Sequence, residues 1–170
     1  MSAPVTPEGA ERLLTFEVQE GVYALPIAEV HEVAEAARIC CVPTISREAV
    51  GVMNWHGDAL PVVSASLLLE GQALEGEEAA EDAAEDAAPA EPRAKGLEAS
   101  HLLVVSARDD EPAQLALPIE RVLGLVDGPR RRRGAGRLVV ERRSIESRVV
   151  SVLDPRHLVE RASEVIERVA

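Results

Sequence analysis

A seven-residue phrase occurs twice in this chain, as ALPIAEV at 24–30 and as ALPIERV at 116–122. Ala, Leu, Pro, Ile and Val recur in step, 92 positions apart. A β-like run precedes each copy, Leu13 to Val18 and Leu102 to Ala107, and another follows, Val30 to Val33 and Val122 to Val126. A later echo sets Leu60-Pro61-Val62-Val63-Ser64, ahead of Leu67-Leu68-Leu69, beside Val149 to Asp154, ahead of His157-Leu158-Val159, at an offset of 87. A duplicated unit with a modest change of length explains both. Repetition on this scale constrains the fold more than any single motif, because each copy must be one supersecondary unit of the same kind.

The units read as β. Leu14, Phe16 and Val18 alternate with Thr15 and Glu17, the period of a half-buried strand. Glu20-Gly21 supplies a tight turn and Val22 to Leu25 returns as a second strand. Pro26 has no amide donor and ends that strand. Ile27 to Glu29 fits one helical turn before the chain extends again. Val50 to His56 suggests another strand, and His56-Gly57-Asp58 turns it into Ala59 to Val63. The second half repeats the plan near 102–107, 113–117, 122–126, 137–141 and 148–152. Short strands at this spacing indicate small barrels or sandwiches. The chain ends in a helix from Asp154 to Val169. Asp154 is a good N-cap and Pro155 suits the first helical position. Leu158, Val159, Ala162, Val165, Ile166 and Val169 form one apolar stripe, expected to cover a barrel opening.

Residues 70–99 separate the two units. They hold ten acidic and two basic residues, and so −8 of the formal net charge of −12. With two leucines and no β-branched or aromatic residue, this stretch is expected to be a solvated linker. The expected organisation is a flexible N-terminus at 1–10, one β-barrel subdomain at 11–69, the linker, a second subdomain at 100–153 and the helix at 154–170. Neither half, at about 70 residues, has a comfortable core alone, so the halves are expected to pack together. With one Phe, one Tyr and one Trp, that core must be aliphatic.

The acidic balance argues against a general nucleic-acid binder, which needs excess Lys and Arg for phosphates. Arg130 to Arg133, between glycines, is the one basic block. It keeps open a nucleic-acid reading, though no aromatic side chain lies near it for base stacking. No apolar run approaches the ~20 residues of a membrane span, and the first twelve residues do not read as a secretory signal. Cys40 and Cys41 are adjacent and read as reduced thiols of a cytoplasmic protein. The four histidines have no zinc spacing, and no phosphate-cradling loop or nucleophile elbow occurs. The sequence therefore predicts no catalytic residue, metal or cofactor. An enzyme using Cys40 or Cys41 is the weaker alternative.

Gly51-Val52-Met53-Asn54-Trp55-His56-Gly57, followed by Leu60-Pro61-Val62-Val63, resembles the hallmark of the CheW-like family, Gly-Val-x-Asn-Leu-Arg-Gly and then a strand with Pro-Val-Val. LLTFEVQEGVYALPIAEVHEV ahead of it and Val149 to Asp154 with the helix after it are similar too. The resemblance covers about 11–69 and 100–165. It implies two SH3-like five-stranded barrels and a non-enzymatic adaptor that links a chemosensory histidine kinase to chemoreceptors. Its partners would be the kinase's regulatory domain and a receptor's cytoplasmic tip, with no nucleic acid and no membrane insertion. By the same resemblance Val30 and Glu32 fall in the strand used at the kinase or ring interface. Gly51, Asn54, His56 and Gly57 fall in the receptor-proximal turn, and an exposed Trp55 would anchor a different protein partner. His56 stands where the family has Arg and Trp55 where it has Leu. The linker is an insertion, which suggests a divergent adaptor that engages only some of these partners.

Overall fold

A computed structural model describes residues 9–35, 39–41, 50–69, 99–129 and 136–169. Residues 1–8, nearly all of the acidic linker and Arg130 to Arg133 lie outside the described residues. Eleven strands and two helices run in order: β1 (Ala10–Val18), β2 (Gly21–Pro26), a 3-10 turn (Ile27–Glu29), β3 (Val30–Glu35), β4 (Cys40–Cys41), β5 (Val50–Trp55), β6 (Asp58–Val63), α1 (Ala65–Leu69), β7 (His101–Val105), β8 (Leu115–Ile119), β9 (Arg121–Pro129), β10 (Val139–Ile145), β11 (Arg148–Leu153) and α2 (Pro155–Val169). The fold is mainly β, as expected, and the strands fall close to where alternation puts them.

The sheets do not divide the chain at the linker. One has the order β10-β11-β2-β1-β9 and the other β4-β5-β6-β8-β7-β3. Each therefore mixes strands from both sides. The expectation that 11–69 and 100–153 form separate barrels is corrected: the two units exchange their first two strands. Alternation could not reveal this, because a period of two fixes which face a strand buries and leaves its partner open.

The exchange is reciprocal. Setting β4 aside, replacing β10, β11, β2, β1 and β9 by β5, β6, β8, β7 and β3 converts one sheet order into the other. Both sheets contain one parallel pair, Val152 beside Ala24 and Val62 beside Ala116, and these alanines open the repeated phrase. Both contain the same bulge. His31 is the extra residue where β3 meets β7, and Leu123 where β9 meets β1, with Thr15 Oγ1 donating to the Gly124 carbonyl at 2.9 Å. The second echo is corrected in register. β6 and β11 share one burial pattern, and Ser64 and Asp154 each follow it with a carbonyl that accepts the fourth-following amide (Leu68 at 3.2 Å, Leu158 at 3.0 Å). Those two residues are 90 positions apart, so matching letters alone misplaced the unit by three.

Alternation in two buried sheets gives three apolar layers. Phe16, Leu25, Leu103, Leu117 and Leu153 meet between the sheets in a shared core. Leu13, Ala24, Val150 and Val152 fill the other face of the first sheet. Met53, Leu60, Val62, Leu102 and Val104 fill the other face of the second. Each sheet curls about its outer layer without closing in the hydrogen-bonded order, and side chains bridge the ends. In the first sheet Arg143 of β10 donates to the Pro129 carbonyl of β9 at 2.8 Å while held by Glu141 at 2.8 Å. β4 makes the second sheet six-stranded where five were expected.

The C-terminal helix forms as its stripe requires. The Asp154 carboxylate accepts the Arg156 amide at 2.9 Å, the expected cap. Leu158, Ala162 and Val165 are buried in the shared core, and Arg161 donates to the Leu68 carbonyl of α1 at 2.9 Å. The helix therefore seals the space between the sheets.

Neither sheet can form from one side of the linker alone. Fragments 1–69 and 99–170 should each lack a cooperative thermal transition. Mixed in equal amounts, they should fold as a one-to-one complex, read by circular dichroism and size exclusion. A cooperative melt from either fragment alone would contradict the exchange.

Candidate functional site

The predicted residues converge on the β5–β6 hairpin and the neighbouring stretch of β3. Trp55 pairs with Asp58, which leaves His56 and Gly57 as a two-residue loop. Both have positive φ, 49° and 94°. That is the type I′ turn whose twist matches the flanking strands. Glycine meets the second position without cost, and His is among the residues that enter the left-handed region more readily. The Gly57 amide donates to Asn54 Oδ1 at 2.9 Å, so Asn54 closes the turn from beneath.

Glu32 joins this turn from β3. Its Oε2 accepts the Trp55 indole N–H at 2.9 Å and lies 3.3 Å from His56 Nε2. β7, β8 and β6 separate β3 from β5 in the hydrogen-bonded order. These bonds therefore span the gap between β3 at one end of the second sheet and β5, next to β4 at the other. Trp55 is half-buried. One part packs on the outer core near Met53, while its ring meets His56 edge-on at 4.6 Å and His31 at 5.9 Å. The Trp55 bond first and the His56 bond second hold the Glu32 carboxyl below its ordinary range. What this adds to stability is present above the ordinary carboxylate range and is lost as pH falls through the lowered value. Because Glu32 is exposed, the bonds are screened and act more on orientation than on stability.

Glu32, Asn54, Trp55, His56 and Gly57 thus form one surface. Val30 and Gly51 do not belong to it. Val30 pairs with Val105 and packs against the shared core, while Gly51 is buried in β5 between Cys41 and Val62. Sequence reasoning missed His31, which the bulge turns toward Trp55, and Val33, which is 39% exposed beside Glu32. A bulge leaves no trace in alternation, but matching His31 to Leu123 through the repeated phrase would have pointed to it.

Charge separates the sheets. The strands of the second sheet carry Glu32, Glu35 and Asp58 and no Lys or Arg, so histidines are their only potential cations. Those of the first sheet carry Arg12, Arg121, Arg142, Arg143 and Arg148 among Glu11, Glu17, Asp127 and Glu141.

Among the described residues no group of His, Cys, Asp and Glu is arranged to hold a metal, and no helix is long and apolar enough to cross a membrane. Cys40 is exposed on β4 with a free thiol. A groove of about 580 Å³ lies between β10 and α2, lined by Arg137, Glu141, Arg142, Glu160, Arg161 and Glu164 among others. Its charged walls differ from the mostly apolar lining of small-molecule sites.

Replacing Gly57 by Val should destabilise the fold by about 1–2 kcal/mol, the cost of a left-handed side chain. His56→Asn should keep or raise the melting temperature, because Asn-Gly is a preferred pair for this turn. Thermal melts of both variants check this.

A family model described as the CheW-like domain matches residues 12–163. Among solved structures the chain is similar to the scaffolding protein TtCheW from Thermoanaerobacter tengcongensis, with a TM-score of 0.57 and 14% identity over 87% of this chain and 91% of that one. At that identity the likeness is one of fold. No curated protein sequence matches.

Proposed function

We propose that this chain, which belongs to the CheW-like domain family, is a non-enzymatic scaffold of chemosensory signalling. The observation that carries the reading is the family match, which begins in β1 and ends in α2 and so takes in strands of both sheets. Its partners are the regulatory domain of a histidine kinase and the cytoplasmic tip of a chemoreceptor. The kinase domain docks on β3 and the receptor tip meets the adjoining β5–β6 turn, two parts of one surface. Glu32, Val33, Trp55 and His56 combine there a carboxylate, an exposed aliphatic side chain and an aromatic anchor. Aromatic anchors in partly apolar surroundings contribute more to protein interfaces than their number suggests. The work is done in the cytoplasm, at receptor arrays.

A second reading stays within the family. His56 replaces the Arg of the family motif, and His is smaller and lacks the five-donor guanidinium fork. An adaptor altered in this way binds kinase or receptor but not both. The nucleic-acid reading is weaker, because the net charge of −12 opposes it.

Calorimetric titration against the kinase regulatory domains of the same genome tests the main reading. Saturable binding is expected. Val33→Arg should weaken it at least about tenfold, equal to about 1.4 kcal/mol, without lowering the melting temperature. Val30 is unsuited to this test because it packs on the shared core. If every such domain fails to bind the folded protein, kinase coupling is ruled out and a receptor-only adaptor remains.

A further inference from the structure

The bridge from Glu32 occupies the only polar hydrogen of Trp55. An indole carries one N–H donor and no acceptor, and that donor goes to Glu32 Oε2 at 2.9 Å. What the half-buried ring has left for a partner is hydrocarbon. Glu32 is placed for this by its register. It pairs with Val104, as Ala34 pairs with Leu102, so it leaves β3 on the side of the outer apolar layer that Trp55 also packs against. The rings of His56 and His31 meet the indole edge-on at 4.6 and 5.9 Å. The indole is therefore held by its N–H and by two neighbouring rings.

We infer that Glu32 is a positioning residue for Trp55, fixing the indole before docking and presenting it as an apolar anchor to an aliphatic cleft of the kinase regulatory domain. The inference rests on the docking reading above and deepens it by naming what the partner must offer. A side chain already held in place has less freedom to lose on association. A donor already satisfied enters an apolar cleft without the penalty of an unpaired N–H. The bond also ties Trp55 to β3, the strand on which the kinase domain docks, although β3 and β5 are not neighbours in the sheet.

The test uses the full chain and the kinase regulatory domain that binds it in the titration above. Glu32→Ala should weaken binding about three- to tenfold, the scale of ordering one side chain at an interface. Glu32→Gln, whose amide oxygen accepts the same N–H, should bind within about twofold of the wild type. Trp55→Phe should lose less affinity in the Glu32→Ala background than alone, because the two act as one unit. Trp55 is the single tryptophan, so its fluorescence anisotropy decay reports the indole without a partner. Fast local motion should appear in Glu32→Ala and not in Glu32→Gln. Equal indole motion in the wild type and Glu32→Ala would overturn the inference. So would additive losses from Glu32→Ala and Trp55→Phe, or a Glu32→Gln variant that binds as weakly as Glu32→Ala, which would make the carboxylate a direct contact and leave the docking reading intact. Binding to no regulatory domain would remove both.

Discussion

Both sheets depend on a parallel strand pair, β2 with β11 in one and β8 with β6 in the other. Parallel strands cannot be joined by a hairpin and need a long crossover. Here the crossovers are the rest of the molecule, since β2 must wait for a strand near the C-terminus and β6 for one beyond the linker. This forces the exchange of strands, and the exchange forces the shared core. Phe16 and Leu25 from one sheet meet Leu103 and Leu117 from the other because the sheets are tied at both ends. Contacts so distant in sequence favour slow, all-or-none folding over stepwise assembly.

The linker costs little in this arrangement. It joins α1 to β7, and the entropy of closing a loop grows only with the logarithm of its length. About thirty residues rich in Glu, Asp and Ala are therefore tolerated where a few would serve. The scarcity of aromatics has a related physical reading. Three thin apolar layers are filled by Leu, Val, Ile and Ala from alternate positions, and a large ring fits at few points. Phe16 lies between the sheets, and Trp55 keeps one edge at the surface.

Much of this was legible in the sequence, and the limits were physical. The repeat, the strand alternation, the 3-10 turn, the His56-Gly57 turn and the Asp154 cap are local properties, set by side-chain period and backbone preference within a few residues. Partner choice between strands is not local. The correct register of the second echo was hidden because Pro61 and Ser151 occupy equivalent positions with different letters, while burial at the neighbouring positions is the same. For the site, the family motif brought Asn54, Trp55, His56 and Gly57 into view with Glu32. It also placed Val30 among them, where the bulge turns that side chain inward and sends His31 out.

The bulge and the bridge are two halves of one solution to an edge problem. A curled sheet that does not close leaves unpaired backbone at its end strands, a template for unwanted pairing. The first sheet answers with Arg143, whose guanidinium reaches a backbone carbonyl of the opposite end strand and whose charge is held by Glu141. The second has no Arg or Lys in its strands. It spans its gap with a carboxylate, an indole N–H and an imidazole instead. The arginine bridge is made by a planar fork of five donors, whereas the other ends on a single imidazole nitrogen and an indole N–H. The same topological gap is therefore closed by a guanidinium on a backbone carbonyl in one sheet and by side chains alone in the other, and the second is the one that carries the exposed tryptophan edge.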